Sequence, residues 1–123
     1  MKILITGVYG FVGRNFYVNF KKKYKIIGIG SRKKNKDLKE TKNLINKKIT
    51  FKNLINLKFK PDLILHCAGS GSVMNSFKNK KNDYIKNVKT TEELLKFIQN
   101  LEKKPKLIFF SSAAVYGNSC NKY

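Results

Sequence analysis

Acidic residues are scarce in this 123-residue chain. Seven Asp and Glu stand against 27 Lys and Arg, giving a formal charge of +20. Cysteine is scarcer still. Cys67 and Cys120 are too few for a disulfide scaffold and lack the close spacing of a metal site, so we read both as plain thiols and expect no metal. Long hydrophobic runs are missing as well: none approaches the ~20 residues needed to span a bilayer. Before Thr6 and Gly7 the N-terminus offers only Ile3, Leu4 and Ile5 as an apolar run, short of the ~7–15 residues of a signal-peptide core. The expectation is a soluble, cytoplasmic protein with no membrane partner.

Arginine is also rare, and this bears on the charge. Only Arg14 and Arg32 are arginine; every other basic residue is lysine. Arginine is the residue suited to bidentate contacts with bases and phosphates. Lys, Asn and Ile are all abundant and share A/T-rich codons. The charge therefore reads as a lysine background on exposed positions, at the cost of some self-repulsion, rather than as a selected nucleic-acid surface. Neither a helix-turn-helix pattern nor a basic strand interleaved with aromatics is present, so a basic nucleic-acid-binding protein is the least favoured reading.

What is present suits one globular domain over residues 1–123. Hydrophobic residues make up 41% and aromatics 12%, too much for a disordered basic tail. Such a chain buries roughly two-thirds of its unfolded surface. Residues 2–5 predict a buried strand and 25–30 a second. Between them, Phe11, Val12, Phe16 and Phe20 predict the apolar face of a helix over 11–22. The Lys-rich stretch 31–48 reads as a loop with a weak helix around Leu38–Ile45. Ile49–Phe51 suggests a third strand and Leu54–Phe59 a helical turn. Leu63–Cys67 is a clear strand after Pro61 and Asp62. A long helix is expected over 82–103, with Ile85, Val88, Leu95 and Ile98 near one face and Leu94 and Leu101 widening it. Leu107–Phe110 is the last strand. These strands are apolar throughout, as strands covered on both faces are. Alternation with helices then predicts an α/β fold: a doubly wound, Rossmann-like parallel sheet of order 3-2-1-4-5.

Gly7, Gly10 and Gly13 fall in the turn Thr6-Gly7-Val8-Tyr9-Gly10-Phe11-Val12-Gly13, between the first strand and the first helix. Each has a physical use. The first allows a tight turn, the middle one lets a pyrophosphate reach the backbone, and the last lets helix and sheet pack closely. The helix N-terminus adds free N–H groups and a partial positive charge. No G-K-[ST] follows, which argues against a P-loop.

This turn resembles the TGxxGxxG of the extended short-chain dehydrogenase/reductases, the NAD(P)-dependent epimerase/dehydratase group. Three later segments carry the resemblance in order. His66-Cys67-Ala68-Gly69 is similar to the family's H-x-A-[AG]. Asn87-Val88-Lys89-Thr90-Thr91 is similar to N-V-x-G-T, with Lys89-Thr90 departing from Gly-Thr. Ser111-Ser112-Ala113-Ala114-Val115-Tyr116-Gly117 is similar to S-S-x-x-V-Y-G. Family members mostly act on nucleotide-activated sugars. The resemblance implies that Gly7, Val8, Tyr9, Gly10, Phe11, Val12 and Gly13 hold the cofactor pyrophosphate. His66, Cys67, Ala68 and Gly69 would line the cofactor, although His66 is as well explained as a packed structural residue. Asn87 would support the site or simply occupy a helix position. Ser111 would border the cofactor, and Ser112 would be the catalytic hydroxyl, bonding the sugar group that gains or loses hydride. Tyr116 is expected to pack structurally.

Two departures follow. The second strand ends in Gly30 where NAD enzymes carry a ribose-binding carboxylate, and Ser31 and Arg32 come next. That favours NADP over NAD as the cofactor. The family's Tyr-x-x-x-Lys pair, in which Lys lowers the Tyr pKa for proton transfer, is not found after Tyr116. The one such spacing, Tyr17 and Lys21, lies in the first helix and reads as chance in a Lys-rich segment. The expectation is the N-terminal, cofactor-binding part of a nucleotide-sugar epimerase or dehydratase, truncated and without its C-terminal substrate domain. Alone it would bind NAD(P) and not turn over a sugar nucleotide, whose binding needs a C-terminal portion. The alternative is a non-catalytic NAD(P)-binding sensor. Family members often pair through outer helices, so a homodimer is compatible with the resemblance.

Overall fold

The computed structural model describes residues 1–31, 38 and 42–117; Arg32, Cys120 and Tyr123 lie outside the described residues. Five strands form one sheet: β1 (Lys2–Thr6), β2 (Lys25–Gly30), β3 (Leu44–Asn46), β4 (Leu63–His66) and β5 (Lys106–Phe109). Their order is β3-β2-β1-β4-β5 and every pairing is parallel, as the alternation of strands and helices predicts. The helices are α1 (Phe11–Phe20), α2 (Phe51–Ile55), α3 (Val73–Lys78), α4 (Lys80–Tyr84) and α5 (Thr90–Asn100). A π-helical segment, Ile85–Lys89, joins α4 to α5, and a 3-10 turn spans Ala113–Tyr116. Among the described residues no helix is long and apolar enough to cross a membrane.

The period-two alternation of a strand explains why β1 is apolar at every central position. Ile3 and Ile5 enter one core with Val8, Tyr17, Ile26 and Leu65. Leu4, between them, enters a second core with Ile29, Leu54, Ile64, Leu94 and Phe97. The central strands are thus covered on both faces. β5 is not: Leu107, Ile108, Phe109 and the following Phe110 are all exposed, so the expectation of apolar strands buried on both sides fails at this edge.

Three local readings also change. In α1 the inward residues are Gly13 and Tyr17, while Phe11, Val12 and Phe20 are exposed. The close seat of Gly13 sets that rotation. A Cβ there would lie 2.7 Å from the Gly7 carbonyl oxygen and 2.9 Å from Val8 Cα. Tyr17, one turn on, follows it into the core, Phe16 packs half-buried against that core, and the exposed Phe20 packs on Phe16 with ring centroids 4.6 Å apart.

The long helix is interrupted. The Thr90 N–H bonds to the Ile85 carbonyl, five residues back. A π turn holds one residue more than an α turn, so positions before it are rotated against those after it. Leu94, Phe97 and Leu101 are buried, whereas Ile85, Val88 and Leu95 of the expected face are exposed.

The third strand lies earlier than Ile49–Phe51, at Leu44–Asn46, within the stretch read as loop and weak helix. The cause is a helix start. Thr50 caps α2 by accepting from the Asn53 N–H at 3.2 Å, and the Phe51 N–H donates to Glu93 Oε2 at 2.8 Å. Those groups are committed to the helix terminus instead of a sheet ladder.

Candidate functional site

β1 ends at Thr6, and the Gly7 N–H donates to the Ile29 carbonyl at 2.8 Å. Gly7 then turns with φ +74°, a region that favours glycine. Space demands glycine too: a Cβ at Gly7 would sit 2.6 Å from the Ala68 nitrogen, so the turn lies directly on the Cys67–Ala68 backbone. The Gly10 N–H closes the turn on the Gly7 carbonyl at 2.9 Å, and Gly10 caps α1 with no side chain bonding the helix N-terminus.

A cleft of about 860 Å³ opens where β1, β2 and β4 end. Its floor is Gly7, Tyr9, Gly10, Gly30 and Ser31. One wall is Cys67, Ala68 and Gly69 after β4. The connection from β3 to α2 contributes Lys48, Ile49 and Thr50. The region from α4 to α5 contributes Asn82, Ile85, Lys86, Lys89, Thr90 and Glu93. The turn glycines and the segment after β4 are therefore brought together as expected. Val8 is fully buried beneath the turn, and its side chain takes the space a Gly28 Cβ would need. Phe11, beside the turn, is 80% exposed, and Val12 is exposed as well.

His66 and Asn87 stand behind the cleft lining. The Thr91 hydroxyl donates to the Asn87 carbonyl at 2.7 Å, so it accepts from His66 Nε2 at 2.9 Å. His66 Nδ1 is then the acceptor for the Thr6 hydroxyl. Burial holds the His66 pKa below its ordinary value, which suits this neutral tautomer. Its ring also stacks on Phe109, centroids 5.4 Å apart, linking β4 to β5. Asn87 Oδ1 accepts from the Ser70 N–H at 2.7 Å, and its Nδ2 donates to the Ser70 carbonyl at 3.3 Å and to Asp83 Oδ1 at 3.1 Å. That pins the segment after β4. Burial pushes the Cys67 thiol up to about 11.

Ser111 and Ser112 lie beyond β5, exposed and outside the cleft lining. Tyr17 is packed in the core, so the Tyr17–Lys21 pair stands away from the cleft as its place in the first helix implied. The sequence reading missed Lys48, Lys86 and Lys89. A lysine in so lysine-rich a chain carries no signal of its own, and only the topology brings these three to one cleft.

A parallel sheet of this order, with a glycine turn leading into a helix at its carboxyl end, defines the doubly wound class that binds ligands at the switch in strand order. The chain belongs to the NAD dependent epimerase/dehydratase family, whose model matches residues 3–122. It is 33% identical over 120 residues to a GDP-6-deoxy-D-talose 4-dehydrogenase of Aggregatibacter actinomycetemcomitans, covering 95% of this chain and 37% of that protein. It is 44% identical over 63 residues to a UDP-glucose 4-epimerase of Mycoplasma genitalium, covering 51% of this chain and 18% of the relative. Among solved structures it is similar to the UDP-N-acetylglucosamine 4-epimerase of Methanobrevibacter ruminantium M1 in complex with UDP-N-acetylmuramic acid. There the TM-score is 0.83 at 26% identity, over 98% of this chain and 40% of that one. The chain thus spans well under half the length of the relatives it matches.

Proposed function

We propose that these 123 residues are the nicotinamide-dinucleotide-binding part of a nucleotide-sugar epimerase or dehydratase. The observation that carries this reading is the Gly7–Gly10–Gly13 turn, seated on the Cys67–Ala68 backbone and opening with Gly10 onto the cleft. Two features fit a dinucleotide. No side chain caps α1, so its first N–H groups are available to a phosphate oxygen. The cleft volume of about 860 Å³ lies in the range of cofactor sites.

In this reading the backbone from Gly7 to Gly13 holds the pyrophosphate. Ser31, which lines the cleft, and Arg32, which follows it in sequence, are assigned to the adenosine ribose, which favours NADP. Cys67, Ala68 and Gly69 line the cofactor, with His66 and Asn87 holding that segment in place; Ser111, beyond β5 and outside the cleft lining, is assigned to the cofactor's border by the family resemblance alone. When bound, the nicotinamide ring supplies the hydride acceptor and donor for a sugar carbon. Ser112 is the hydroxyl that would bond the reacting sugar group. No Tyr-x-x-x-Lys pair stands at the cleft among the described residues, so the 123 residues bind dinucleotide and do not turn over a sugar nucleotide by themselves. The same observation favours a second reading, a dinucleotide sensor without chemistry. We place the protein in the cytoplasm, with sedimentation as the check on a homodimer.

Calorimetric titration with NADPH and NADH tests the core of the reading. Saturable binding of either is expected, and failure of both to bind would remove it. Arg32→Ala is expected to weaken NADPH and spare NADH. Epimerase or dehydratase turnover by the 123 residues would contradict the claim of incompetence, and turnover restored by adding a C-terminal portion would exclude the sensor.

A further inference from the structure

We propose that Lys48 is a specificity-determining residue of the cleft, one that selects a dinucleotide bearing a phosphate monoester on its adenosine ribose. The inference rests on the dinucleotide reading above and adds to it a residue on a different element from Ser31. Lys48 lies on the connection between β3 and α2, and it lines the same cleft as Gly30 and Ser31 at the end of β2. The register explains the proximity: β3 pairs with β2, with Gly30 opposite Asn46, so the chain leaving β3 emerges beside the chain leaving β2.

The chemistry at this end of the cleft is one-sided. A free ribose diol is ordinarily held by a carboxylate at the end of the second strand. Here that position is Gly30, and a Cβ on it would meet the Tyr9 ring at 3.2 Å, so the packing itself leaves little room for an acidic side chain. Among the described residues the one carboxylate lining the cleft is Glu93. It is already engaged by the Phe51 N–H at 2.8 Å and by Lys96 at 3.4 Å. The described side chains of the cleft thus offer a ribose diol no unengaged carboxylate.

Lys48 offers the opposite charge from a backbone position held by hydrogen bonds. Its carbonyl accepts from Asn53 Nδ2 at 2.8 Å, and Thr50, two residues on, caps α2. The side chain is exposed, so its ammonium keeps its water until a ligand arrives. Among the described residues the ion pairs are Lys60 with Glu102, Lys89 with Glu92 and Lys96 with Glu93, and none engages Lys48. A phosphate monoester would gain a charge-assisted hydrogen bond there without displacing a carboxylate. A ribose hydroxyl would gain far less.

The test is calorimetric titration of the wild-type chain and Lys48→Met with NADPH, NADH, 2′,5′-ADP and 5′-AMP. Met keeps the apolar stem and removes the charge. The expected result is a loss of roughly tenfold or more in affinity for NADPH and 2′,5′-ADP, with NADH and 5′-AMP within about twofold of wild type. Lys48→Glu should deepen the same selective loss, and circular dichroism checks that both variants fold. An equal loss for all four ligands, or no loss, overturns the assignment. A wild-type preference for NADH overturns it while leaving the dinucleotide reading standing. If no ligand binds the wild type, both fall.

Discussion

Asn87 holds Ser70 by both of its backbone polar groups, accepting from the N–H at 2.7 Å and donating to the carbonyl at 3.3 Å. Asn87 lies in the π-helical segment and Ser70 in the loop after β4, so one side chain fixes the cleft wall formed by Cys67, Ala68 and Gly69. Asn87→Ala leaves a part-buried donor and acceptor without partners. The expected loss of stability is about 1–3 kcal/mol in urea unfolding, with a fall in dinucleotide affinity of similar sign. An unchanged midpoint together with unchanged affinity would show that the wall stands without this clamp.

Gly13 and Gly71 should respond oppositely to the same added methyl. At Gly13 a Cβ would press against the Gly7 carbonyl oxygen and Val8 Cα, both backbone atoms that cannot turn aside; at Gly71 it would meet nothing within 4 Å. Gly13→Ala must push α1 off the sheet, costing on the order of 1–3 kcal/mol or more. Gly71→Ala should stay within about 0.5 kcal/mol of wild type. Thermal or urea denaturation of the pair decides it.

Stability should depend on pH through His66, the sole histidine of the chain. Burial lowers its folded pKa from 6.5, so in the window just below 6.5 the unfolded chain binds a proton that the folded chain does not. Stability is therefore full above 6.5 and falls as pH drops through that window, levelling off beneath the folded value. Asp62, held down first by the Lys2 N–H, Glu93, by the Phe51 N–H, and Glu102, by Lys60, lose their contributions lower, below their ordinary values of 3.8 for Asp62 and 4.5 for the two Glu. Urea midpoints measured between pH 7.5 and 5 should slope downward, and His66→Gln should flatten that slope whatever it does to the midpoint itself. A slope unchanged by the substitution would remove His66 as its source.

Cys67 offers a chemical probe of the cleft. With its thiol pushed up to about 11 from 9.0, its thiolate fraction near neutral pH is about a hundredfold below that of an ordinary thiol. Iodoacetamide should therefore modify it slowly at pH 8, as followed by mass spectrometry of the Cys67 peptide. Because Cys67 lines the cleft, saturating dinucleotide should slow the reaction further. Labelling at the rate of a free thiol, or rates indifferent to dinucleotide, would count against the burial and the occupancy respectively.

Much of the fold was legible because parallel strands declare themselves. Ile3, Leu4 and Ile5 are apolar in succession since each face of β1 has its own core; that run, followed by Gly7, placed the turn, and the alternation of such strands with helices placed the sheet order. The faces of the helices were less legible. Periodicity assumes an unbroken α-helix, and the extra residue between Ile85 and Lys89 defeats it by turning Val88 outward and Phe97 inward. In α1 the burial follows the smallest residue, Gly13, where a count of large apolar ones looks for Phe11 and Phe20. Half of the cleft was legible by its glycines. The half built from Lys48, Lys86 and Lys89 was not, because its residues come from two separate places in the chain, the β3–α2 connection and the π-helical segment, and match the background composition.

The open edge at β5 has a colloidal consequence. Among the described residues no strand pairs with the outer side of β5, so Leu107, Ile108, Phe109 and Phe110 present a short apolar edge, the kind of surface on which identical molecules add to one another. A formal charge of +20 acts at longer range and holds those molecules apart. The lysine background outside the cleft thereby serves as a dispersant. Its reach shrinks to about 8 Å at 0.15 M salt and to about 3 Å at 1 M. Concentrated salt, in which most of this chain should be indifferent, is the condition under which light scattering should first detect clustering through β5.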